Sequence, residues 1–262
     1  VFCIFAFSKI QDSLRYFLEI SYNGEAYHGW QIQPNVVSVQ EVVQEKLSIM
    51  LRQSIEVVGA GRTDAGVHAK QMFLHFDSDR ELENLPEIAY RLNSFFPNDI
   101  VSHRLIRVPD DAHARYDALY REYHYHIVLG KNPFSKGLAM SVRTKKLDVE
   151  AMRLAARKLL SHTNYKCFSR SKTNVYTYEC TIMKADWIEE NGHLRFEVTA
   201  NRFLRNMVRA MVGTLLDVGR GKCSQEEFEK ILQSNNRCEA GTSAPPYGLY
   251  LKRIIYPKEI IS

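Results

Sequence analysis

The stretch Gly59-Ala60-Gly61-Arg62-Thr63-Asp64-Ala65-Gly66-Val67-His68-Ala69 places the tightest constraint on how this chain can fold. A β-branched run at 54–58 precedes it and an alternating run at 71–76 follows, so it reads as a loop between two strands. Its three glycines permit backbone conformations closed to other residues and a close approach to a ligand. One guanidinium, Arg62, and one carboxylate, Asp64, stand between them.

Two phosphate-loop readings fail here, each at a specific residue. Gly61 to Gly66 has P-loop glycine spacing, but Val67-His68 stands where Lys and Ser/Thr would hold phosphates and magnesium. Gly59-Ala60-Gly61 begins like a dinucleotide fingerprint, yet Asp64 would turn a negative charge toward the pyrophosphate. The remaining local reading is a turn in which the Asp64 side chain bonds nearby backbone N–H groups.

Along the chain, 14–22 reads as a strand ended by Asn23-Gly24, and 27–34 as a loop. Ser38, with Glu41 three residues on, is a helix N-cap, and Val39, Val42, Val43, Leu47 and Met50 follow with helical spacing. A second helix is expected over 85–95 and a strand over 100–106. The order strand, helix, strand, strand, helix, strand implies an α+β layer, with helices on one face of a mainly antiparallel sheet. A similar alternation recurs: strand 120–129, helix 147–160, strands 178–189 and 193–200, helices 203–218 and 224–233, and a closing strand 247–256. The Gly/Pro-bearing segment 130–137 reads as a loop after a long strand.

Three further constellations carry chemistry. The loop 164–173 is basic with two aromatics, so Lys166, Arg170 and Lys172 could contact phosphates; the alternative is a solvated surface loop. In 120–125, alternation puts Tyr123 and Tyr125 on one strand face and His124 on the other. In 200–213, apolar residues at helical spacing face a core, while Arg202, Arg205 and Arg209 stand three and four apart on one helix face. Arg209 is set among Met207, Val208, Ala210 and Met211, where a buried guanidinium needs a carboxylate partner. Arg202 and Arg205 can instead belong to an exposed basic face.

These motifs carry a resemblance. Gly61 to Ala69 is similar to the active-site signature of the TruA family of tRNA pseudouridine synthases, bacterial type. The likeness extends from about residue 14 to 256, through the segment around Tyr123, Met207-Val208-Arg209 with Val212-Gly213, and the closing Ala244-Pro245-Pro246-Tyr247-Gly248-Leu249-Tyr250-Leu251. It implies two pseudo-symmetric α/β halves, 14–108 and 109–256, sharing one extended sheet with helices on one face and an RNA cleft on the other. It also implies Asp64 as nucleophile, Arg62 entering the RNA where the base flips out, Tyr123 stacking on the uracil, and an Arg209–Asp64 pair joining the halves. Two departures, Asn164-Tyr165 where Asp-Phe is commoner and Glu122 before Tyr123, touch outer RNA contacts only.

The chemistry fits so short a set of residues. Converting uridine to pseudouridine breaks the C1′–N1 bond, rotates the uracil and rejoins it through C5. A carboxylate with an ordinary pKa of about 4 is ionised at neutral pH and needs no base to activate it. Attack at C1′ or at C6 is compatible with these motifs, and Tyr123 is one candidate for removing the C5 proton. The reaction calls for no cofactor and no metal. The expected substrate is the anticodon stem-loop of tRNA at uridines 38, 39 and 40; the alternatives are another RNA target or a non-catalytic RNA-binding or chaperone protein.

Composition agrees without deciding. A chain of 262 residues, 45% hydrophobic, can bury one large core or two modest ones. A net charge of +5 permits a polyanionic partner but does not require one. The five cysteines, Cys3, Cys167, Cys180, Cys223 and Cys238, form no Cys-x-x-Cys pair and read as reduced thiols of a cytoplasmic protein without a zinc site. No apolar run is long enough for a membrane helix. The apolar opening lacks a basic leader and a cleavage site, so residues 1–13 are set aside as a tail. The family resemblance implies a homodimer.

Overall fold

A computed structural model describes residues 13–143, 147–171 and 175–261. The tail expected at 1–13 therefore lies almost wholly outside the described residues, as does Lys172. Among the described residues one mixed sheet forms the frame. Its strands are β1 (Leu14–Tyr22), β2 (Val58–Gly59), β3 (His68–Ser78), β4 (Ile100–Arg107), β5 (Tyr120–Leu129), β6 (Met140–Val142), β7 (Ile182–Glu190), β8 (His193–Ala200) and β9 (Leu249–Ile255). They run in the order β4-β1-β3-β9-β5-β8-β7, with β2 on β3 and β6 on β5. All pairs are antiparallel except β3–β9 and β5–β6.

The strands before residue 108 meet those after it through two register pairs only, His68 with Tyr250 and Ala69 with Leu251. This junction follows directly on the signature loop. Two apolar cores flank it. One gathers Phe17, Leu18, Val43, Leu47, Phe73 and Leu92; the other gathers Tyr125, Ala155, Trp187, Phe196, Met211 and Leu215. Tyr123 packs against both, so it stands in the seam between them.

Helix α1 (Val39–Leu51) starts where expected, with Ser38 Oγ accepting the Glu41 N–H at 3.3 Å, and ends at Arg52 in the left-handed conformation. It also overturns one expected strand. Residues 54–57 pair with no strand, because α1 side chains take their backbone groups. Ser48 Oγ accepts the Ile55 N–H, Gln44 Oε1 accepts the Val57 N–H, and Gln40 Nε2 donates to the Val57 carbonyl. Only Val58–Gly59 joins the sheet. Helix α2 (Leu85–Leu92) is capped by Asn84 and stops short of the expected 95, continuing as turns. Helix α3 (Val149–Lys158) is capped by Asp148.

Helix α4 (Met207–Gly219) begins four residues later than expected. Asn206 adopts a left-handed conformation (φ 65°), and the Met207 N–H turns back to the Leu204 carbonyl. Arg202 and Arg205 thus belong to the approach to the helix and not to a face shared with Arg209. Almost every side of α4 is buried. At Gly213 an added Cβ would lie 1.8 Å from the Thr242 carbonyl oxygen, so this glycine lets the segment after α5 (Gln225–Ser234) lie directly on α4. That contact brings the Ala244 carbonyl to Arg209.

Candidate active site

The signature loop hangs from backbone bonds at short intervals. The Ala60 N–H donates to the Phe73 carbonyl at 2.8 Å, the Trp30 N–H to the Thr63 carbonyl at 3.2 Å, and the Gly66 N–H to the Tyr27 carbonyl at 3.2 Å. Gly66, at φ +76°, supplies the turn before β3, while Gly61 has open space where a side chain would stand. The flexibility expected of three glycines is therefore needed at one of these two positions. A loop with this many backbone anchors holds its side chains in fixed directions.

Side chains tighten the same loop. The hydroxyls of Tyr22 and Thr63 are 2.8 Å apart in a buried contact, and burial pushes the Tyr22 phenol well above its ordinary range. Arg121, on β5, donates to the carbonyls of Ala60 (3.2 Å), Ala118 (2.9 Å), Asn201 (2.9 Å) and Arg115. At the end of the loop the His68 ring accepts the Gly24 N–H at Nδ1 (3.1 Å). Its Nε2 lies 3.0 Å from the Tyr247 carbonyl and 3.1 Å from that of Gly137. The proton therefore sits on Nε2, and burial lowers the ring's affinity for a second one.

Asp64 does not close the local turn with its side chain; its backbone carbonyl accepts the Val67 N–H instead. The carboxylate reaches across the seam to α4. Arg209 Nη1 donates to Asp64 Oδ2 at 3.2 Å, and Arg209 Nε donates to the Ala244 carbonyl at 2.7 Å. Arg205 Nε lies 4.0 Å from the other oxygen, Oδ1. Asp64 thus faces two guanidinium groups, one anchored and one largely in solvent.

Tyr123 lies close enough to Asp64 to feel its charge, and it meets Phe203 edge-on, with ring centroids 5.0 Å apart. Burial pushes its phenol up to about 12; Arg121 opposes the rise and the Asp64 charge adds to it. The hydroxyl is neutral across the ordinary pH range, which suits a stacking ring better than a resting phenolate base. On β5, Tyr123 shares its face with Tyr125 and Ile127, members of the core to which α3 and α4 contribute. Asp64, Tyr123 and Arg209 thus lie along the seam between the two cores.

The other candidates lie at varying distances from this centre. Arg62 is exposed and has no ion-pair partner among the described residues. Lys166 is exposed, with its ammonium 5.5 Å from the centre of the Tyr178 ring. Arg170 is exposed, and its N–H donates to the Arg205 carbonyl at 3.0 Å. Arg202 lines a depression with Thr163, Thr177, Glu179 and Asn201. Tyr22, Arg121 and His68 were not singled out from sequence. Arg121 could have been, since it alternates with Tyr123 and Tyr125 on one strand face.

One group among the described residues has metal-ligand character. Glu122, His124 and Glu197 present ligand atoms within 4.8 Å of one another. Glu197, however, already accepts from Lys184 Nζ at 2.5 Å and from Arg195 Nε at 2.7 Å, and His124 Nε2 is 2.7 Å from Glu122. The cations balance the carboxylates, and the group reads as a closed ion-pair network across β5, β7 and β8.

This geometry can be set beside known proteins. A model of the tRNA pseudouridine synthase family matches residues 20–117 and 155–257. The chain belongs to this family. A tRNA pseudouridine synthase A of Bacteroides fragilis is 47% identical over 247 residues, covering 94% of this chain and 98% of that protein. Another, from Porphyromonas gingivalis, is 47% identical over 252 residues, with the same coverage of 94% and 98%. The family model spans both sides of the seam in this pseudouridine synthase, including Asp64, Arg205 and Arg209.

Proposed function

We propose that this protein isomerises uridine to pseudouridine in the anticodon stem-loop of tRNA, at positions 38, 39 and 40, with Asp64 as nucleophile. The observation that carries the reading is the bond between Asp64 and Arg209 beside the Tyr123 ring, inside a chain of the pseudouridine synthase family. Arg209 keeps the carboxylate oriented by charge and hydrogen bonding. Tyr123 receives the face of a flipped uracil and leaves its edges open to reaction. Attack by Asp64 on C1′ displaces N1 and breaks the C1′–N1 bond, the uracil turns, C5 bonds to C1′ as the Asp64–C1′ ester bond breaks and frees the carboxylate, and C5 gives up its proton to solvent while N1 takes one up.

Arg62 supports the same reading as an exposed guanidinium two residues from the nucleophile, directed at the RNA. Lys166, Arg170, Lys172, Arg202 and Arg205 serve as phosphate contacts around the cleft. The halves 14–108 and 109–256 act as two walls of that cleft. No helix among the described residues is long and apolar enough to cross a membrane, and we place the protein in the cytoplasm as a homodimer.

The test is to incubate unmodified tRNA transcripts carrying uridine at 38, 39 or 40 with the purified protein and map pseudouridine by chemical labelling and primer extension. Modification confined to these positions supports the reading. Modification elsewhere in tRNA would overturn the site assignment, and modification of no tRNA would overturn the substrate. Light scattering at working concentrations checks the dimer.

A further inference from the structure

Two arginines share Asp64, and they are held very differently. Arg209 is one-fifth exposed and spends its Nε on the Ala244 carbonyl. Withdrawing it would leave that carbonyl without its donor, which is costly for a polar group held away from water. Arg205 is 56% exposed and approaches Asp64 only to 4.0 Å. An exposed pair at that distance is weak, because solvent screens it.

The backbone beneath Arg205 is fixed. Its carbonyl accepts the Arg170 N–H at 3.0 Å. The next residue, Asn206, is held in a left-handed conformation and donates from Nδ2 to Ser243 Oγ at 2.6 Å. The Arg205 side chain thus extends from an anchored backbone, with Asp64 on one side and solvent on the other. The backbone bond also holds the Arg170 main chain beside it. For a phosphodiester arriving at the exposed Arg205 guanidinium, a charge-assisted bond to phosphate is stronger than the long contact to Asp64.

We propose that Arg205 is a phosphate-released cover on Asp64. A backbone phosphate of the entering RNA draws its guanidinium away from Oδ1, so uncovering of the carboxylate is coupled to seating of the RNA. Arg209 stays in place and keeps the other oxygen oriented. This rests on the reading of Asp64 as nucleophile and RNA as substrate. It assigns Arg205 a positioning role that neither the signature nor a simple phosphate contact implies.

The experiment compares the full-length parent, R205Q and R205K. Binding of tRNA is measured from low to moderate salt, single-turnover rates are measured over a range of tRNA concentrations, and the Arg205 Nε–H resonance is followed by 15N NMR with and without tRNA. The D64N variant identifies the share of that resonance position due to Asp64. For R205Q the salt slope of log Kd falls by about 0.7–0.9, the value of one phosphate contact. The loss in turnover appears as a severalfold higher half-saturating tRNA concentration, while the rate at saturation is kept. R205K restores most of the slope. In the parent, tRNA moves the Arg205 resonance away from its Asp64-dependent position.

An R205Q variant with an unchanged salt slope and a tenfold lower saturated rate would overturn the proposal, because Arg205 would then be a permanent partner of Asp64. A resonance insensitive to both D64N and tRNA would overturn it as well. Failure of the underlying reading is separate: it is seen when the parent protein itself forms no pseudouridine, whatever Arg205 does.

Discussion

Asp64, in the loop between β2 and β3, and Arg209, on α4, stand 145 residues apart in the chain and are joined by a hydrogen bond of 3.2 Å. The bond crosses the seam between two cores that the sheet itself joins through only two register pairs. It therefore ties the candidate nucleophile to the far half of the molecule. Arg209→Ala leaves the Asp64 carboxylate without its close partner and the Ala244 carbonyl unpaired. Because both side chains retain some solvent contact, the expected loss is about 2 kcal/mol, read by urea denaturation, together with a fall in turnover of at least a hundredfold. A variant with parental stability and turnover would separate the pair from both roles.

Tyr123 tests the division between ring and hydroxyl. Its phenol, held up at about 12, carries a proton at every working pH. Tyr123→Phe is expected to keep turnover within about tenfold with unchanged tRNA affinity, whereas Tyr123→Leu, which lacks the flat face, falls much further. A Phe variant as inactive as the Leu variant would give the hydroxyl a chemical role.

Tyr22 supports the loop from beneath. Tyr22→Phe removes the bond to Thr63, and the expected cost is about 1 kcal/mol, a fall in Tm of about 2–4 °C for a chain near this size. Differential scanning calorimetry reads it directly.

Gly213 holds the segment that positions Ala244. Gly213→Ala puts a methyl group into the Thr242 carbonyl and is expected to cost about 1–3 kcal/mol. Because the displaced segment carries the carbonyl that anchors Arg209, turnover should fall more than stability alone explains, measured at a temperature where the variant is fully folded.

Acid stability follows from buried His75 and half-buried His126. His75 accepts the Ala114 N–H at Nδ1 and is depressed to about 4, mainly by burial. His126 is likewise depressed to about 4 by burial and by neighbouring His124 and Arg195. Between pH 4 and the unfolded value of about 6.5, the unfolded chain binds more protons than the fold does. Stability is therefore full above about pH 6.5 and declines as pH falls toward 4. His75→Asn, which keeps an acceptor for Ala114, should shrink the slope in pH-dependent urea unfolding.

Local signals in the sequence were read correctly where neighbours in sequence decide the outcome. The Ser38 cap and the apolar spacing after it specify α1, and the alternating aromatics of 120–129 coincide with β5 residue for residue. The 54–57 segment misled because its β-branched residues look like a strand, while the groups that take its backbone bonds are Gln40, Gln44 and Ser48 on a helix. The α4 start was misplaced because nothing local announces the left-handed Asn206. The Asp64–Arg209 pair was expected only through resemblance and an apolar context around Arg209. Tyr22 and His68 act through partners 41 to 179 residues away, and Arg121 reaches Ala60 and Asn201 across 61 and 80 residues, distances over which spacing carries no information.

The central claim is that Asp64 carries the isomerisation. The most direct measurement is release of tritium from tRNA labelled at uridine C5, comparing the purified protein with Asp64→Ala and Asp64→Asn without added cofactor. Release by the parent is expected, with none above background from either variant and tRNA binding by all three. Release by Asp64→Asn at the parental rate would contradict it.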